Sequence, residues 1–118
     1  MDEIAEKKRS WDVLVIGGPS GTGKTSASYP LARRFEVGIT EVDDLHIVLE
    51  RLTTPEQQPL LHYWRTNPQA PHLSAEQILE LHIGVCRVLA PAIKAVIANH
   101  LDTQTPIVWK ATISCRRY

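Results

Sequence analysis

The longest apolar pattern in the chain runs from Ala75 to Leu101, where Ile78, Leu81, Val85, Val88, Leu89, Ala92, Val96 and Ile97 recur at i, i+3 and i+4 spacing. That rhythm predicts a largely buried helix. Ser74 and Gln77 occupy the two positions of a capping box at its start, and Pro91 predicts a kink, or a break into two helices, near Arg87. Shorter stretches have another character. Trp11 to Gly17 (WDVLVIG) is an apolar, β-branched run of the kind a buried parallel strand shows. Residues 26–35 place Ala27, Leu31, Ala32 and Phe35 at helical spacing, with Pro30 expected to kink that helix or shorten its first segment. Glu36 to Asp44 reads as a second strand ending in two carboxylates, followed by a short helix over 45–52 for which Asp44 is a candidate N-cap. Thr54, Pro55 and Gln57 look like a further helix start, Arg65 to Leu73 like a loop, and Thr105 to Trp109 like the beginning of a third strand.

Strands alternating with helical patterns imply an α/β chain with a parallel sheet. At 118 residues, 43% hydrophobic and 22% charged, the chain supports one core. Thirteen basic residues balance thirteen acidic ones, so composition offers no nucleic-acid or membrane surface, only room for a local positive site. Cys86 and Cys115 lie outside any C-x-x-C pair, and neither a signal peptide nor a long apolar span is expected, which points to a reduced, cytoplasmic protein. Residues 1–10 (MDEIAEKKRS) read as a flexible N-terminal extension, leaving 11–118 as the domain.

The chemistry concentrates between the first strand and the first helix. Gly18-Pro19-Ser20-Gly21-Thr22-Gly23-Lys24-Thr25 fits G-x-x-x-x-G-K-[ST] at every fixed position. Such a glycine-rich turn is a poor helix or strand interior but suits a loop whose backbone amides converge on one phosphate, helped by the helix N-terminus behind it. Lys24 then reaches the β- and γ-phosphates and the Thr25 hydroxyl holds Mg²⁺, with Ser26 completing the cradle. His82 and Cys86 share a helix face four residues apart, but no second pair offers the four ligands of a structural zinc, and the other histidines match no metal-binding spacing. These residues read as packing or surface groups.

From about Val13 to Val108 the chain resembles the P-loop small-molecule kinases, and most closely the 2-phosphoglycerate kinase-like group. The resemblance rests on GPSGTGKT after a buried strand, on the Val42-Asp43-Asp44 strand end, and on DDLHIVLERLTTPEQQPLLHYW leading to a long helix. It implies a P-loop NTPase-like doubly wound parallel sheet, here incomplete with about three strands, together with ATP, Mg²⁺ and transfer of the γ-phosphoryl group to a small-molecule acceptor such as 2-phosphoglycerate. It also implies that Asp43 or Asp44 contacts the acceptor hydroxyl, so Lys24, Asp43 and Asp44 are the candidate catalytic residues.

The chain departs from that pattern after Val108. A P-loop enzyme should show a hydrophobic strand with an acidic end here, whereas Lys110 to Tyr118 carries no carboxylate. Reading one base earlier from the last base of the Val108 codon forces a Glu codon across Trp109 and Lys110 and permits Leu-Glu-Gly-Asp-Tyr-Ile-Leu-Pro-Ala-Leu. Residues 109–118 are therefore a candidate out-of-frame tail on a partial, marginally stable domain. Two alternatives to a working kinase follow, a truncated, non-catalytic nucleotide-binding fragment and a P-loop ATPase.

Overall fold

A computed structural model describes residues 9–19, 21–68 and 72–113. The chain forms β1 (Val13–Pro19), α1 (Lys24–Phe35), β2 (Gly38–Glu41), α2 (Val42–Leu52), α3 (Tyr63–Thr66), α4 (Ala75–Asp102) and β3 (Ile107–Ile113). The strands make one parallel sheet in the order β1-β3-β2. Ile107 lies opposite Val13 on one side and Gly38 on the other, and the ladders run to Ile113 opposite Pro19 and to Lys110 opposite Glu41. The middle strand is therefore the driest, with Ile107, Val108 and Trp109 all buried.

The two crossovers run in opposite directions across the sheet. Right-handed connections then put α1 over one face and the α2–α4 segment over the other. α1 packs on all three strands and α2 on β2 and β3. A core of Leu61, Val85 and Leu89, flanked by Val42, Leu49, Leu60, Val88 and Ile93, ties α4 to α2 and the segment between them. Gly84 admits Leu60 there, because a Cβ at residue 84 would stand 3.0 Å from Leu60 Cδ1.

Several elements differ from the sequence pattern for identifiable reasons. The second strand ends at Glu41, and Asp43 and Asp44 lie in the first turn of α2, where carboxylates complement the helix dipole. The N-cap of that helix is Glu41 rather than Asp44. Pro91 does not break α4 and Pro30 does not shorten α1: each helix continues through its proline, both exposed, so water can reach the carbonyls they leave without partners. Thr54 and Gln57 do form a reciprocal capping box, at 2.9 and 3.2 Å, but it closes a turn and the helix begins only at Tyr63. The Ser74–Gln77 box opens α4 as expected, with the same two distances.

The third strand continues through residues 109–113, so these residues belong to the sheet whatever reading frame produced them. Contrary to the expectation of no long apolar span, α4 is long and apolar enough to cross a membrane by length and composition alone, although Val85 and Leu89 pack into the core. The radius of gyration is 16.7 Å, against about 13.5 Å for a compact chain of this length. Accordingly Val15 on β1, Ile47, Val48 and Leu52 on α2, and Leu79, Ile83 and Leu101 on α4 are exposed. The outer edges of β1 and β2 have no strand partner among the described residues. Of the expected N-terminal extension only Arg9 and Ser10 are described; Arg9 donates to Trp11 O at 2.7 Å and lies over the Trp11 ring.

Candidate functional site

β1 delivers the glycine-rich loop to the C-terminal edge of the sheet, the edge at which open parallel sheets bind ligands. Gly18, Gly21 and Gly23 have φ of 147°, 84° and 90°. At Gly18 an added Cβ would also lie 3.3 Å from Thr22 Oγ1 and 4.0 Å from Lys24 Cδ. At Gly21 and Gly23 it would meet nothing within 4 Å, so there the backbone angle alone demands glycine.

Gly23 is the N-cap of α1, and with no side chain it leaves the helix start uncapped. No acidic residue occupies the first turn. Ser, Thr, Asp and Asn are the usual side-chain caps; this twelve-residue helix has none, and the positive end of its dipole faces the glycine-rich loop. Lys24 is 7% exposed, its stem lying against Gly18 rather than extending into solvent. Ser28, fully buried, donates its hydroxyl to the Lys24 carbonyl one turn along and fixes the turn that carries the lysine. Gly21, Thr22, Thr25 and Ser26 are exposed along the same rim. Pro19 contributes the last residue of β1, and the expected role of Ser20 falls outside the described residues.

Parallel strands end on the same side, so the end of β2 and the start of α2 bring further groups to this edge, while Lys110 stands at the middle of β3. Asp43 is half-buried and Asp44 exposed at the start of α2. Glu41, at the end of β2, lies opposite Lys110 of β3, and Lys110 Nζ donates to Glu41 Oε1 at 2.6 Å. The ammonium also lies 5.9 Å from the centre of the Tyr29 ring on α1. The hydrogen bond to Glu41 holds the Lys110 pKa above the usual lysine value; burial works against it, and the charges of Glu41, Tyr29 and Asp43 add to it. The sequence pattern does not single out Glu41, Lys110 or Tyr29, since only the register between β2 and β3 and the seating of α1 bring them together.

Other polar residues make local contacts away from the loop. His46 Nε2 lies 3.1 Å from the Leu61 carbonyl, to which only a protonated nitrogen can donate. Thr53 Oγ1 donates to Leu49 O at 2.7 Å and so accepts from His62 Nε2 at 3.1 Å. Glu50 Oε1 meets Arg65 Nε at 2.6 Å, an ion pair whose direction falls outside hydrogen-bond geometry. His82 packs against Trp64 with ring centres 6.1 Å apart, and burial lowers its pKa. Cys86 is an exposed thiol. Among the described residues no group of three or more His, Cys, Asp or Glu side chains is arranged to hold a metal ion.

Comparison of the chain with protein-family models, curated proteins and solved structures gave no match.

Proposed function

We propose that this chain is a P-loop nucleotide-binding domain on a doubly wound parallel sheet, cytoplasmic, and a kinase that transfers the γ-phosphoryl group of ATP to a small-molecule acceptor such as 2-phosphoglycerate. The observation that carries the reading is the start of α1, where an uncapped helix terminus, three glycines at positive φ and Lys24 converge. That combination compensates phosphate charge without desolvating any protein carboxylate. Mg²⁺ binds with few protein ligands plus phosphate oxygens and water, a requirement that Thr25 at the exposed rim suits. When bound, the ion neutralises charge on the transferring group.

The chain's own groups divide the remaining work. The loop amides and Lys24 hold and orient the phosphates, and Asp43 or Asp44 positions the acceptor hydroxyl and takes its proton. The non-catalytic alternative draws on one specific observation: β3, the strand whose acidic end would serve turnover, carries no carboxylate over Ile107–Ile113, and its central Lys110 engages Glu41. A P-loop ATPase uses the same loop with water as acceptor.

Titration calorimetry with ATP on the wild type and Lys24→Ala tests the shared premise. The variant should lose at least about tenfold in affinity, the worth of one charge-assisted contact, with an unchanged far-UV spectrum. Equal affinities in both proteins would remove the P-loop reading. Assaying transfer to 2-phosphoglycerate against release of inorganic phosphate then separates kinase, ATPase and non-catalytic binder.

A further inference from the structure

We propose that the outer face of α2 binds a second copy of this chain, the two α2 helices lying antiparallel across a two-fold axis. The inference goes beyond the nucleotide-binding reading and does not depend on it. α2 has two distinct faces. Val42 and Leu49 pack against the core, His46 contacts the Leu61 carbonyl and Glu50 meets Arg65. On the opposite side Asp44, Ile47, Val48, Arg51 and Leu52 recur at i, i+3, i+4, i+7 and i+8, and all five are exposed. The three apolar side chains are 47%, 51% and 76% exposed. Neither Asp44 nor Arg51 has an ion-pair partner among the described residues.

The order of these residues selects the occupant. Asp44 and Arg51 stand seven residues apart, about 10.5 Å along the helix and within about 20° around it. An antiparallel copy with its two-fold axis midway between Ile47 and Val48 sets Asp44 of each chain against Arg51 of the other, and Ile47 of each against Val48 of the other. Both ends attract and the middle is apolar, so the stripe is complementary to itself, as an isologous contact requires. A parallel pairing would stack Asp44 on Asp44 and Arg51 on Arg51, like charge on like. Antiparallel packing also brings the positive end of each helix dipole beside the negative end of the other. Charges so placed suit the helix's own dipole as well; what calls for a partner is the uncovered apolar centre between them. An eleven-residue helix is about 16 Å long, so the contact belongs with small, transient interfaces rather than obligate ones.

Sedimentation velocity on the full chain, without nucleotide and from low to high micromolar concentration, is the test. The average mass should rise from 13.2 kDa toward twice that value as concentration increases. Val48→Lys changes an exposed position, should leave the far-UV spectrum as in wild type, and should abolish the rise. Arg51→Glu and Asp44→Arg should each weaken self-association at least about tenfold, because both ends of the contact turn repulsive. Mixed in equal amounts, those two variants should associate again, since each end of the mixed pair carries opposite charges. Arg51→Gln and Ile47→Lys read the charged and the apolar contributions if a reversed variant does not fold. A chain that stays monomeric at every concentration overturns the second copy as occupant and leaves the stripe to a different partner. A dimer unmoved by Val48→Lys and by the charge reversals lies on another surface, which overturns the proposal equally. Folded charge-reversed variants that do not associate on mixing overturn the antiparallel arrangement.

Discussion

Trp109 is the residue at which the sequence pattern and the sheet can be set against each other. It lies in the middle of β3 and is 1% exposed, yet it is also the first residue of the candidate out-of-frame tail. Its indole Nε1 is buried without a hydrogen-bond partner. Trp109→Ala removes a large buried ring and leaves a cavity, at a cost of about 3–5 kcal/mol. That is a large fraction of the roughly 5–15 kcal/mol a domain ordinarily has. Trp109→Phe should behave differently. Losing part of the ring costs about 1–2 kcal/mol in buried area and packing, while deleting an unpaired buried N–H returns about 1–3 kcal/mol. The phenylalanine variant should therefore lie between about 1 kcal/mol less and about 2 kcal/mol more stable than wild type, the difference of those two terms. Urea denaturation followed by far-UV circular dichroism reads both changes, with Trp109→Ala unfolded early or already in buffer. A Trp109→Ala variant as stable as wild type would show that residues from 109 onward do not belong to the sheet. A phenylalanine variant as damaged as the alanine one would show instead that the indole N–H is satisfied and its bond matters.

Other outcomes follow from the site. Asp43→Asn and Asp44→Asn should each leave ATP affinity within about threefold, since neither carboxylate lies in the phosphate loop; at least one should abolish phosphoryl transfer in coupled-enzyme assays, and retained turnover in both would end their assignment. Gly23→Ala should cost about 1–2 kcal/mol in thermal or urea unfolding, because the left-handed backbone is the only obstacle to a Cβ there. Burial lowers the His82 pKa below its unfolded value, so the unfolded chain takes up the proton first as pH falls. Stability should then be full above the ordinary histidine pKa and decline as pH drops through it toward the lower folded value. Melting temperatures measured from pH 7.5 to 5 should decline more steeply for wild type than for His82→Gln, and parallel curves would contradict this.

Local patterns in the sequence determined much of the chain. The glycine-rich loop between strand and helix was legible because three left-handed angles tolerate almost nothing but glycine, and the Ser74–Gln77 box because capping is settled within one turn. Apolar periodicity marked α4 to within a residue of its observed end at Asp102. It left open whether Pro30 and Pro91 would interrupt their helices, since that depends on whether solvent can reach the carbonyls they orphan. Nor did it separate the end of β2 from the start of α2. Glu41, Val42, Asp43 and Asp44 suit either element locally, and pairing with β3 stops at Glu41 opposite Lys110. The position of β3 between β1 and β2 is likewise a tertiary fact. It buries Trp109 and converts Lys110, read along the chain as part of a cationic tail, into the partner of a carboxylate 69 residues away. Sequence spacing governs contacts within a turn or a cap; a contact across a parallel sheet is set by crossover direction and strand register, which depend on how every intervening element packs.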